Sequence, residues 1–293
     1  MNRFRIIVAA LIINLVVVGG AFAAQTDKAL MLSVFGTSTE ASVTFDELLP
    51  LVQKQFPDRQ VAIPYTSKTI RDKLNKDIAD PAQKKLSPAE MLEKLKSDGY
   101  TDIAVVSTIV FPGVEHEKLQ ETANTFRDAN SGIKVSYLPP MLADEAMIQP
   151  IVDTLGPYIA KDAFNIVVAH GTHDGHPVEE VYHKLASAVA KTYPDTATGS
   201  IEGVPDMDDV MQAIAAQKKE DVQFLVFMFV AGDHAENDVA GDEEDSLFSQ
   251  VKAMGKKPGV TMVDTSIGPR MLSLGLDPAY RALLLDHYAK NVQ

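Results

Sequence analysis

The chain contains no cysteine. This excludes disulfides, thiolate metal sites, Fe–S clusters and covalently attached c-type haem, and it leaves stability to packing. Basic residues are also few. Against 40 Asp and Glu there are 27 Lys and Arg, for a formal charge of -13. That balance argues against a nucleic-acid surface, and an anionic ligand would need a local basic cluster set against the overall field. Long apolar runs are missing after the N-terminus, so no later segment reads as a membrane span.

The N-terminus is the exception. Arg3 and Arg5 precede residues 6–18, which are apolar except for Asn14, and Ala21-Phe22-Ala23 forms an A-x-A cleavage signal. The pattern predicts a signal peptide over residues 1–23, cut near Ala23/Ala24. The alternative is an uncleaved anchor, but the run is short for a span. The expected mature chain is exported, periplasmic in a Gram-negative cell and off the membrane after cleavage. It has about 270 residues, enough for one large or two medium domains. Losing Arg3 and Arg5 takes its charge to -15.

Apolar strand-like runs alternate with amphipathic segments throughout. Strands are predicted at 29–35, 60–64, 103–109, 134–138, 165–169, 198–201, 222–230 and 260–263. Helices are predicted near 40–55, 68–75, 88–98, 115–130, 145–160, 178–192, 206–218, 245–253 and 277–290. Alternation of this kind gives an α/β fold with parallel sheets. Leu32-Ser33-Val34-Phe35-Gly36-Thr37 is echoed by Val167-Val168-Ala169-His170-Gly171-Thr172. Phe111-Pro112-Gly113-Val114-Glu115-His116 is echoed by Val230-Ala231-Gly232-Asp233-His234. Two similar domains are expected, 24–150 and 151–293, each a parallel sheet flanked by helices, with the active site in the cleft between them.

Three polar residues follow apolar runs in the second half: His170 after 165–169, Glu202 after 199–201, and His234 after 224–230. If those runs are neighbouring strands, two imidazoles and a carboxylate meet at one sheet edge. That is a ligand set for a borderline divalent cation, at the end of the sheet where α/β proteins place their chemistry. His173 and His176 complete an H-x-x-H-x-x-H loop and are expected to line the mouth or begin the next helix. His183 and His287 fall in helical patterns and read as surface residues. Asp242-Glu243-Glu244-Asp245 reads first as an acidic helix start and second as a track for cations.

Through these residues the chain resembles the class II anaerobic cobalt chelatases, which insert Co2+ into sirohydrochlorin and share the ferrochelatase-like fold. Ser33-Val34-Phe35-Gly36-Thr37-Ser38 is similar to the family's S-F-G-T-S. Tyr65-Thr66-Ser67 with Ile70, Lys73 and Leu74 is similar to its T-S-x-x-I-x-x-K-L. Ala169-His170-Gly171 stands at its G-H-G, and Ile201-Glu202-Gly203-Val204-Pro205 at its V-E-x-x-P. The longest match is Val230-Ala231-Gly232-Asp233-His234-Ala235 with Asn237-Asp238, which looks like V-A-G-D-H-A-x-N-D. The resemblance implies that His170, Glu202 and His234 bind the incoming metal and that Glu115 lies on the facing wall. It departs from the family at Ala169, where the first Gly of G-H-G is expected, and at His116, where Tyr is more usual. His116 reads either as a change on a helix surface or as an extra ligand, and one axial His is enough to hold haem b non-covalently.

Metallation removes two pyrrole N–H protons and moves one ion from protein ligands to ring nitrogens. Imidazoles suit both tasks, for Co2+ and equally for Fe2+, Ni2+ or Zn2+. The expected roles are ion binding by His170, Glu202 and His234, with His170 or His234 also accepting protons, and proton transfer or orientation by Glu115. The cleft would bend the macrocycle out of plane, toward the transition state. The carboxylates of an anionic tetrapyrrole would be met by the N–H groups of Gly36, Thr37 and Ser38 and by Lys68 and Arg71, with Lys73 nearby. Two readings stand side by side: a metal-inserting enzyme, and an exported carrier of haem, a tetrapyrrole or a metal without catalysis. Either is compatible with a homo-oligomer.

Overall fold

The computed structural model describes residues 26–172 and 175–292. The expected signal peptide, 1–23, lies outside the described residues. Among them, no helix is long and apolar enough to cross a membrane.

The first half carries β1 (Lys28–Ser33), β2 (Gln60–Ala62), β3 (Asp102–Ser107) and β4 (Lys134–Tyr137). They form a parallel sheet in the order β2-β1-β3-β4. Between them run α1 (Val43–Gln55), α2 (Lys68–Asn75), α3 (Pro88–Ser97) and α4 (Val114–Ala129). Local chemistry sets the starts. The Ser67 hydroxyl accepts from the Ile70 N–H at α2, and Ser87 and Glu90 form a reciprocal capping box at α3.

The second half repeats the plan. After α5 (Ile148–Thr154) come β5 (Phe164–Gly171), α6 (Glu179–Thr192), β6 (Thr196–Glu202), α7 (Met207–Ala216), β7 (Asp221–Phe227), α8 (Leu247–Ala253) and β8 (Lys257–Val260). Its parallel sheet has the order β6-β5-β7-β8. The two sheets therefore share one topology, and each has its switch point between the first and third strands in chain order. At such a point successive crossovers leave in opposite directions and open a crevice at the strands' C-terminal ends.

Three differences from the predicted elements have local causes. The run 222–230 stops pairing in the sheet at Phe227, because Met228 and Phe229 carbonyls instead accept from the Leu274 and Gly275 N–H groups at 2.9 Å. The run 260–263 divides between β8 and β9 (Met262–Thr265), and β9 pairs antiparallel with the short β10 (Gly268–Met271). The helix predicted over 145–160 holds only one α-helical stretch, α5, between two 3-10 turns.

One apolar core spans both halves. Leu30, Val34, Phe45 and Phe111 of the first half pack in the same cluster as Val167, Tyr182, Phe227 and Tyr280 of the second. Phe111 and Tyr182 stack with ring centroids 3.8 Å apart. The last helix, α9 (Pro278–Asn291), returns to the first half, where Tyr288 donates to the Ser107 carbonyl at 2.6 Å and His287 Nε2 meets the Pro139 carbonyl at 2.9 Å. His287 is thus half-buried and bridging, where a surface residue was expected. His183 is exposed as expected.

At the opposite, N-terminal edge of the first sheet, buried Arg59 donates to Asp102 at 3.0 Å and to the Ala29 carbonyl at 3.2 Å. Burial works to raise the Asp102 carboxyl. Arg59 and Lys134 outweigh it and hold the group below the ordinary carboxylate range. A depressed carboxyl contributes stability above its unfolded pKa and loses it as pH falls through the folded value. Arg59→Met should lower unfolding free energy by about 2–3 kcal/mol at pH 7, less than for a fully buried pair because Asp102 keeps some contact with water. Urea unfolding across pH should show that deficit shrinking below pH ~4. A deficit that does not change with pH would assign Arg59 to packing alone.

Candidate active site

The sheet-end loops of the two halves face each other. Gly232, after β7, is packed against Thr37, after β1: a Cβ on Gly232 would stand 2.8 Å from Thr37 Oγ1. His176 Nε2 reaches Glu117 at 3.5 Å across the same boundary. The crevice is therefore floored by the switch points of both sheets.

His170, the penultimate residue of β5, and His234, beyond β7, flank the switch point of the second sheet. Their ring centroids lie 4.9 Å apart with planes nearly perpendicular. His170 is half-buried, and its Nδ1 lies 3.3 Å from the Gly171 carbonyl. His234 has 45% of its side chain exposed, and its Nδ1 meets Asp238 Oδ2 at 2.6 Å. Its backbone leads into a π-helical segment, Ala235–Val239. Such segments recur at functional sites.

Glu202 ends β6, half-buried, in register with Gly171. Gly171 has φ +87°, and a Cβ there would fall 1.7 Å from the Glu202 carbonyl oxygen. Only glycine accommodates both the left-handed backbone and that approach. The same carbonyl accepts from the Thr172 N–H at 3.1 Å, and the Gly171 carbonyl accepts from the Tyr182 hydroxyl at 3.0 Å. Burial raises the Tyr182 phenol far above its ordinary value, and Glu202 adds to this, so the hydroxyl remains a donor. The two imidazoles are brought together and Glu202 stands on the adjoining strand end. Among the described residues no three His, Asp or Glu side chains already converge within ligating reach.

On the facing wall, Glu115 begins α4, beside Lys118 at 3.3 Å. It lines a cavity of about 320 Å³ with Phe35, Ser67, Lys68 and Lys118. Phe35, 45% exposed, follows β1 at the place that His170 takes on β5. Gly36 sits at φ +97° against the Tyr65 ring, and Thr37 is buried with Oγ1 accepting from the Thr39 N–H at 3.2 Å. The helix predicted near 40–55 begins at Glu40 as a 3-10 turn capped by Thr39 and continues as α1. Lys68 is exposed and paired with Asp72 at 2.6 Å.

Several expectations need correction. Arg71 turns inward, donating to the Thr66 carbonyl at 2.8 Å and to that of Tyr65, so it clamps its own loop and is not presented to a ligand. His116 lies neither on a helix surface nor open to a haem. It is 9% exposed, with Nδ1 2.6 Å from the Tyr137 hydroxyl. Burial pushes its imidazole below the ordinary value, against the pull of Glu117. His176 accepts from the Val178 N–H through Nδ1, so it tethers the start of α6, while His173 lies outside the described residues. The run 242–245 is exposed and precedes the Ser246 cap of α8, as its plainer reading expects. Sequence reasoning missed Tyr182, Phe35 and Lys118, and it missed Asp238 as the partner of His234. The four-residue spacing from His234 to Asp238 was the available signal.

The model of one protein family, described as Cobalt chelatase (CbiK), matches residues 28–293. The chain is 26% identical over 239 residues to the sirohydrochlorin cobaltochelatase CbiKC of Nitratidesulfovibrio vulgaris, spanning 79% of this chain and 82% of that protein. It is 26% identical over 271 residues to the sirohydrochlorin cobaltochelatase of Salmonella typhimurium, spanning 89% and 94%. Among solved structures, SirB from Bacillus subtilis with Fe3+ aligns with a TM-score of 0.60 at 12% identity, over 90% of this chain and 95% of its own. CbiX, a terminal enzyme of sirohaem biosynthesis in denitrifying bacteria, aligns at 0.52 and 15% identity, over 91% and 100%. At such identities the likeness carries the fold alone.

Gly171→Ala should lower stability by about 1–3 kcal/mol through backbone strain and displacement of the β6 end. Thermal unfolding checks it. An unchanged midpoint would mean that the contact between Gly171 and the Glu202 carbonyl does not hold the two strand ends.

Proposed function

Since the chain belongs to the cobalt chelatase (CbiK) family, we propose that it inserts Co2+ into sirohydrochlorin with release of two pyrrole protons. The observation that carries this reading is the imidazole pair, His170 and His234, 4.9 Å apart across a switch point. Two neutral imidazoles and a carboxylate suit Co2+, and also Fe2+, Ni2+ and Zn2+, so the site chemistry does not restrict the enzyme to cobalt. His170 and His234 hold the incoming ion, and Glu202 joins them when its side chain swings from the adjoining strand end. One of the imidazoles takes a pyrrole proton as the ion transfers, and Glu115 takes or relays the second from the other wall.

The macrocycle lies between the walls. Phe35 offers it an apolar ring face beside Glu115. Lys68 and Lys118 meet its carboxylates by exchanging Asp72 and Glu115 for the substrate, a low-cost step because exposed ion pairs contribute little. The N–H groups of Gly36, Thr37 and Ser38 are offered as further donors to those carboxylates. A flat anionic ring held this way presents its nitrogens toward the imidazoles, and bending it further favours the transition state. The units of this reading are the two halves, 24–150 and 151–293, with the crevice between them.

A haem at His116 would have only Nε2 of a buried ring to bind it, so the buried pair with Tyr137 supports a packing role. The purified protein is therefore expected to lack a Soret band. A haem band that His116→Ala abolishes would restore the carrier reading.

His170→Ala and His234→Ala should each lower kcat/KM for Co2+ insertion at least ~100-fold, followed by the absorbance change of sirohydrochlorin. Full turnover in both variants would remove the assignment. We also propose that residues 1–23 export the chain to the periplasm. Mature protein recovered from the periplasmic fraction should begin near Ala24. Recovery of an intact Met1 chain from the cytoplasm would contradict export.

A further inference from the structure

We propose that Asp238 is a positioning residue for His234: it holds the Nδ1–H of that ring and so presents Nε2 to the incoming ion. The inference rests on the reading of His170, Glu202 and His234 as the ion-holding set. Its own basis is the 2.6 Å contact between His234 Nδ1 and Asp238 Oδ2. An ionised carboxylate only accepts, so Nδ1 carries the proton, and in the neutral ring the lone pair is left on Nε2. A metal-binding His oriented by a carboxylate on its second nitrogen is the usual arrangement.

The two imidazoles differ in this respect. Among the described residues, the contact of His170 Nδ1 is with the neutral Gly171 carbonyl, at 3.3 Å. His234 has a charged partner and a shorter contact. The backbone that carries the pair is anchored, because Ala235 and Val239 are fully buried on either side of half-buried Glu236 and exposed Asn237 and Asp238. Both side chains are nearly half exposed, 45% and 46%. An exposed pair of that kind adds little to folding stability. Its consequence is the tautomer and direction of the ring.

The test uses the full mature chain. In 15N-histidine-labelled protein at pH ~8, above the ordinary imidazole range, the His234 signals, assigned by their loss in His234→Ala, should report the proton on Nδ1. In Asp238→Ala that preference should be lost, and the Kd for Co2+ alone should rise about 10–100-fold. Asp238→Asn keeps an acceptor oxygen and should lie between the two. The proposal is overturned if Asp238→Ala keeps wild-type tautomer and Co2+ affinity while His234→Ala weakens Co2+. If His234→Ala itself binds Co2+ like wild type, the ion-site reading fails first and the positioning role falls with it. Unchanged thermal stability of Asp238→Ala is expected, and it separates the loss of affinity from a loss of fold.

Discussion

Parallel pairing of β5 with β7 is the constraint on which the site depends. Phe164 to Ala169 align residue by residue with Val222 to Phe227, so both strands deliver their chains to the same edge of the sheet. Because β6 and β8 lie on opposite flanks, the connections diverge there, and the crevice opens between His170 and His234. The Gly171 backbone, pressed against the Glu202 carbonyl, then ties the third strand end to the same edge.

The first half supplies the opposite wall with the same topology and different chemistry. Phe35 stands where the second half has His170, and Glu115 and the buried His116 follow β3 where His234 follows β7. A repeated architecture thus yields one wall carrying two close imidazoles and one carrying an exposed aromatic ring. The shared core, with Phe111 stacked on Tyr182 and Tyr288 bonded to Ser107, keeps the walls in register. The strongly acidic chain leaves few cations for an anionic substrate. Lys68 and Lys118 are the ones at the cavity, both on surface ion pairs that exchange readily.

Most of the α/β plan was legible because buried parallel strands are continuous apolar runs, and such runs are hard to hide in a sequence. The strand-end positions of His170 and Glu202 were legible for the same reason, since a polar residue immediately after a buried run stands out, whereas His234 follows its run only through Ala231-Gly232-Asp233. What failed was information that is not local. The end of β7 at Phe227 depends on carbonyls captured by residues 274 and 275, and the inward turn of Arg71 depends on the Tyr65–Thr66 carbonyls. The short β9–β10 hairpin has no apolar alternation to announce it. His116 was misjudged because the partner of its buried ring, the Tyr137 hydroxyl, comes from β4, 21 residues away.

The central claim is that His170 and His234 hold the same ion. X-ray absorption at the cobalt edge of the Co2+-loaded protein counts imidazoles directly through their outer-shell scattering. Two imidazoles per cobalt are predicted in the wild type, and one in each of His170→Ala and His234→Ala. An imidazole count that is the same in all three proteins would contradict the account.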